Sequence, residues 1–125
     1  MKTITFLRHS KSSWDTILED IDRPLNDIGV KKIKKVAKLS NNQFSNCDII
    51  FSSSANRAIH TSLILTRELS IKSDKIRVCE DLYTFNFKIV FDFITKIENI
   101  YSNVVLVGHN PAYTEISNHF SENKI

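Results

Sequence analysis

Four basic side chains stand where this sequence could do phosphoryl chemistry. Arg8 and His9 end the apolar run at residues 4–7, Arg57 follows Phe51 and three serines, and His109 closes the run at residues 104–107. Two guanidinium groups can fork onto the oxygens of one phosphoryl group, neutralising its ground-state charge and the charge that develops during transfer. A neutral imidazole nitrogen in the same pocket can attack phosphorus in line, and the resulting phosphohistidine can be hydrolysed in a second step. Taken singly, each residue has an ordinary reading: a lone histidine belongs to the surface or a satisfied core, and Arg57 to a solvated helix turn. Their shared position after apolar runs, with two residues that titrate near neutrality, makes them candidates together.

Such a cluster needs a scaffold that gathers chain segments far apart in sequence. The short apolar runs at residues 4–7, 49–51, 76–79 and 104–107 predict buried strands. Helical periodicity predicts helices over residues 28–39, 55–69 and 89–97, with a last one around Tyr113, Ile116 and Phe120. Pro24 and Asn26 supply entry signals for the first helix, and the serines at 52–54 precede the second. Strands alternating with helices imply a mainly parallel sheet covered on both faces, and such sheets bind ligands beyond the carboxyl ends of their strands. All four candidates fall at that edge.

Composition excludes several other ways of holding phosphate. Gly29 and Gly108 are the only glycines among 125 residues, so neither a Walker A loop nor a dinucleotide-binding turn can be built. Seventeen Lys and Arg against fourteen Asp and Glu leave a net charge of +3, which is no nucleic-acid signature. The dense basic stretch Lys31, Lys32, Lys34, Lys35 and Lys38 is interleaved with apolar residues and reads as a solvated helix face. Cys47 and Cys79 have no C-x-x-C spacing, and the four histidines lack the paired spacing of a zinc site, so no metal is expected. With no secretory leader and no run long enough to cross a membrane, a cytoplasmic protein with reduced, buried thiols is expected.

The candidate residues sit within longer motifs. Leu7, Arg8, His9 and Ser10 resemble the R-H-G signature of the histidine phosphatase superfamily in its R-H-S variant. Asp22, Arg23, Pro24, Leu25, Asn26 and Gly29 resemble the D-R-P-L-N-x-x-G stretch of its SixA-like bacterial branch. Ser52, Ser53, Ala55, Arg57, Ala58 and Thr61 resemble the element carrying the second arginine, and residues 107–111 resemble V-G-H-N-P, with the second histidine. The likeness runs from Thr3 to about Phe120, in order.

This resemblance implies a phosphoglycerate mutase-like, three-layer α/β/α sandwich and a metal-independent phosphatase without cofactors. It implies His9 as nucleophile, with Arg8, Arg57 and His109 binding the phosphoryl group and stabilising its transfer. Ser10 would approach the phosphate and Asn110 orient a neighbour, while Asp22 and Arg23 are explained equally by a salt-bridged loop anchor. Ser54 and His60 depart from the family's proline and glutamine. The glutamate that serves many relatives as proton donor has no clear counterpart, leaving Glu80 and Asp81 as candidates. A phosphohistidine on a signalling or carrier protein suits that arrangement, since imidazole leaves readily. A small phosphate monoester and a non-catalytic phosphoprotein-binding module are the alternatives. One monomeric domain over residues 1–125 is expected, short of the strand and helix with which relatives usually continue, with no nucleic-acid or membrane partner. Trp14 is read either as pocket wall or as core anchor.

Overall fold

The computed structural model describes residues 3–9, 20–109 and 112–114. Its framework is a four-stranded parallel sheet of β1 (Thr3–Arg8), β2 (Ile49–Ser53), β3 (Ile76–Cys79) and β4 (Asn103–Gly108), in the order β1-β4-β2-β3. The chain's most continuous apolar run is thus a central strand, buried on both sides as such runs require. Alternate β4 residues serve opposite faces. Val104 and Leu106 join Ile49, Leu82, Val90 and Tyr113 in one core cluster, whereas Val105 and Val107 pack with Ala37, Phe44, Ile50, Ala58 and Leu65 in another.

The helices divide accordingly. α1 (Asp27–Leu39) and α3 (Asn56–Glu68) cover one face, with α2 (Asn41–Phe44) between them in sequence, and α4 (Phe87–Thr95) covers the other. The expected three-layer α/β/α architecture is therefore present. Ile33 of α1 and Ile64 of α3 enclose Leu25, which ties the loop before α1 to both helices. The side chain of Asn26 caps α1 by accepting from the Gly29 N–H at 2.8 Å, and Asn86 caps α4 by accepting from Lys88 N–H at 2.9 Å.

All four strands and the three long helices fall within a few residues of their expected positions. α2 was not anticipated: four residues are too few to show a period, and its reason for ordering is the burial of Phe44. The lysines of α1 are exposed while Gly29, Ile33 and Ala37 are buried, as a solvated basic face requires. Cys47 is buried and Cys79, expected to be so, is only half-buried. Residues 112–114 are helical; Ile116 and Phe120, which the expected last helix needs, lie outside the described residues, as do Ser10, Trp14 and Asn110.

One glycine holds the central strand end in place by its lack of a side chain. A Cβ built on Gly108 would stand 2.5 Å from the Tyr113 hydroxyl oxygen and 2.6 Å from the adjoining ring carbon. Tyr113 is itself anchored edge-on to Phe6 at 5.3 Å between centroids and sealed in the core, so it has little room to retreat. Gly108→Ala should therefore cost about 1–3 kcal/mol through overpacking, read as a lower urea midpoint at unchanged m-value.

Candidate active site

Parallel register converts distant sequence positions into neighbours. Arg8 of β1 lies opposite Gly108 of β4, so His9 and His109 leave adjacent strand ends at the same level. The His9 N–H donates to the Gly108 carbonyl at 2.9 Å, and the two imidazole rings lie 5.1 Å apart between centroids. On the other side of β4, Ser52 pairs with Val107, which sets Ser53 beside the same edge.

Arg57, in the first turn of α3, reaches inward and is only 2% exposed. Its Nε–H donates to His9 Nε2 at 3.4 Å, a long contact that keeps that nitrogen's lone pair facing the guanidinium. Its other ends are held by one residue: Nη1 donates to the Asp20 carbonyl at 2.7 Å and Nη2 to Asp20 Oδ2 at 3.1 Å. Asp20 is shared further. Arg23 donates to Oδ1 from Nη2 at 2.7 Å and from Nε at 3.2 Å, and the Tyr83 hydroxyl donates to Oδ2 at 2.5 Å. Burial raises the Asp20 carboxyl, but the hydrogen bonds from Tyr83 and Arg23 and the charge of Arg57 outweigh it. Asp20 is consequently ionised, an acceptor and not an acid.

His109 is fully buried, and its neighbours keep it neutral. Burial first, then the Arg57 guanidinium and the neighbouring His9, hold its pKa down to about 3 from the ordinary 6.5. Its Nε2 lies 2.7 Å from Ser53 Oγ, which also accepts from the Ala55 N–H at 3.2 Å. If the serine hydrogen is directed to Nε2, the imidazole proton resides on Nδ1, a buried atom without a hydrogen-bond partner among the described residues. That tautomer offers a spare donor for an anionic oxygen. Tyr83 and Phe85 close over the ring edge-on, at 5.6 and 5.7 Å between centroids.

The structure thus brings together His9, Arg57 and His109. Arg8 is exposed beside His9, and no hydrogen bond joins it to the other two among the described residues. Glu80 and Asp81 are both exposed in the turn after β3, and none links them to the cluster either. From that segment it is Tyr83 and Phe85 that arrive. Arg23, which sequence reasoning left undecided, is a buried loop anchor paired with Asp20. Sequence reasoning did not single out Asp20 or the two aromatics, and it named Ser53 only within the second-arginine motif, with no role of its own; the three-residue spacing of Asp20 and Arg23 was the one available signal for the first. Among the described residues no group of three or more His, Cys, Asp or Glu side chains could hold a metal ion.

The model of the histidine phosphatase superfamily, branch 1, matches residues 4–91. The chain belongs to that superfamily. Among solved structures, this histidine phosphatase resembles a SixA protein from Agrobacterium tumefaciens, described as a phosphohistidine phosphatase, at 26% identity and a TM-score of 0.81 over 96% of this chain and 77% of that one. A second SixA protein, from Nakamurella multipartitia, aligns at 22% identity and a TM-score of 0.77 over 92% of this chain and 63% of that one. The protein histidine phosphatase SixA complexed with tungstate follows at 20% identity and 0.79, over 91% and 73%. These last two establish the fold alone. No curated protein sequence matches significantly. No helix among the described residues is long and apolar enough to cross a membrane.

The buried neutral imidazole makes stability depend on pH. Because His109 binds its proton more weakly folded than unfolded, the unfolded chain takes up more protons between pH 6.5 and about 3, and stability falls as pH drops through that window. From about pH 7 to about pH 5 this one group should remove about 2 kcal/mol. His109→Gln should flatten the dependence of Tm on pH over that interval by a corresponding amount, whatever its effect at neutral pH.

Proposed function

We propose that this histidine phosphatase hydrolyses phosphohistidine on a protein, with His9 as nucleophile. The observation that carries the reading is the convergence of His9 Nε2, the Arg57 guanidinium and neutral His109 at one sheet edge. A phosphoryl oxygen entering between them takes the Arg57 Nε–H from His9 Nε2, which frees that lone pair as it brings phosphorus within reach. The N–P bond to Nε2 forms as the bond to the leaving group breaks. Water then attacks phosphorus, the electron pair returns to Nε2, and inorganic phosphate departs. Arg8 and Arg57 neutralise the transferring group, and His109 donates to it from Nδ1.

The choice of leaving group follows from the carboxylates. Asp20 is held ionised by Arg23, Arg57 and Tyr83, and no hydrogen bond links Glu80 or Asp81 to the cluster among the described residues, so none of these three carboxyls is assigned as the acid donor. A phosphoimidazole protonated on its other ring nitrogen leaves as neutral imidazole and needs none, whereas an alkoxide does. Similarity to the Agrobacterium tumefaciens SixA protein supports the same substrate. The edge-on aromatics Tyr83 and Phe85, the latter 54% exposed, supply a flat apolar rim suited to an imidazole or aryl group.

The test is phosphate release from a phosphohistidine-bearing protein domain, with an aryl phosphate as reference. His9→Ala should lower turnover roughly a thousandfold or more, and Arg57→Ala roughly a hundred- to a thousandfold, with circular dichroism unchanged. Release from the aryl phosphate alone moves the substrate to small monoesters. Phosphate binding without release from either makes the chain a phosphoprotein-binding module.

A further inference from the structure

Resting on that reading of the site, we infer that Asp20 is a positioning residue for the phosphoryl clamp, fixing the Arg57 guanidinium so that its Nε–H edge faces His9. Arg57 enters from α3, and its flexible side chain must turn one particular edge toward the strand ends. Asp20 grips the opposite end twice, through its backbone carbonyl on Nη1 and its carboxylate on Nη2. The carboxylate is itself fixed by Arg23 from its own loop and by Tyr83 from the segment after β3. The loop is fastened to α3 by a further bond, from Asn56 Nδ2 to the Asp22 carbonyl at 3.1 Å. Three chain segments therefore meet on one carboxylate, and the guanidinium has little freedom left.

The carboxylate also opposes the anion it helps to position. Its negative charge offsets part of the positive charge of Arg57 and Arg23, which weakens attraction for a ground-state phosphate. Removing it should separate binding from turnover. Asp20→Ala leaves the pocket more cationic but the clamp less well directed, and misorientation is costly in the transfer step.

The experiment uses the whole chain and measures turnover of the aryl phosphate, turnover of the phosphohistidine domain, and inhibition by inorganic phosphate. For Asp20→Ala we expect kcat to fall about ten- to a hundredfold on whichever substrate the wild type hydrolyses, while inorganic phosphate inhibits at equal or lower concentration. Asp20→Asn, which keeps an acceptor for Nη2, should recover part of the lost kcat. Unchanged or raised kcat in a folded Asp20→Ala protein overturns the inference and makes the carboxylate an internal competitor instead. Parallel loss of turnover and phosphate inhibition, unrelieved by asparagine, overturns it in favour of a merely structural role. A wild type that neither turns over nor binds inorganic phosphate overturns the reading of the site, and the positioning role with it.

Discussion

A guanidinium that is almost wholly buried cannot shed its proton, so the structure around it must supply negative charge and acceptors. Arg57 is that group, and much of the candidate site is arranged by its requirements. Its placement in the first turn of α3 recruits Asp20 as counter-charge, and Asp20 in turn recruits Arg23 and Tyr83. The Asp20–Arg23 segment is thereby pinned above the sheet edge, and the segment after β3 is drawn over His109. An interaction needed for burying one cation thus fixes the walls of the pocket in which that cation is proposed to act.

The second constraint comes from the sheet. Parallel strands β1, β4 and β2 end at one level, so residues 9, 53 and 109 become neighbours without any special loop. Close packing then removes water from His109, and the absence of a side chain at Gly108 lets Tyr113 close the core directly behind it. Desolvation first, and the neighbouring Arg57 guanidinium with it, keep this imidazole neutral. A neutral donor suits a transferring phosphoryl group because it can meet developing charge without holding the ground-state anion as a cation would.

How much of this was legible in the sequence follows from the physics of each part. The strands and long helices are written as apolar runs and as 3.6-residue periods, signals that survive because one or both faces must be buried. His9, Arg57 and His109 were legible because each sits just beyond an apolar strand and inside a longer motif. Asp20 was not, since Asp15, Glu19, Asp20 and Asp22 look alike in sequence, and it is tertiary packing that brings the Asp20 carboxylate onto Arg57. Tyr83 and Phe85 were hidden for the same reason: their neighbours Glu80 and Asp81 carry the more suggestive chemistry, but it is the aromatics that fold over His109. Chemistry-bearing residue types can be read from the chain; the choice among several equivalent ones is made by the fold.

The charge balance of the cluster explains why a phosphoryl group is a fitting occupant. Arg23 and Arg57 bring two positive charges to the node, Asp20 returns one, and His9 and His109 meet beside it with the latter held neutral. Among the described residues, the Arg23–Asp20–Arg57 node therefore keeps one net positive charge before Arg8 and His9 are counted, in surroundings where burial strengthens electrostatic attraction. Full internal neutralisation would be more stable but would leave nothing for an anion to gain. Without Asp20, the two buried guanidiniums would repel each other and lose their shared acceptor. The single shared carboxylate is a compromise between these demands: it permits Arg57 to be buried and directed while leaving the Arg23–Asp20–Arg57 node with positive charge to offer an anion.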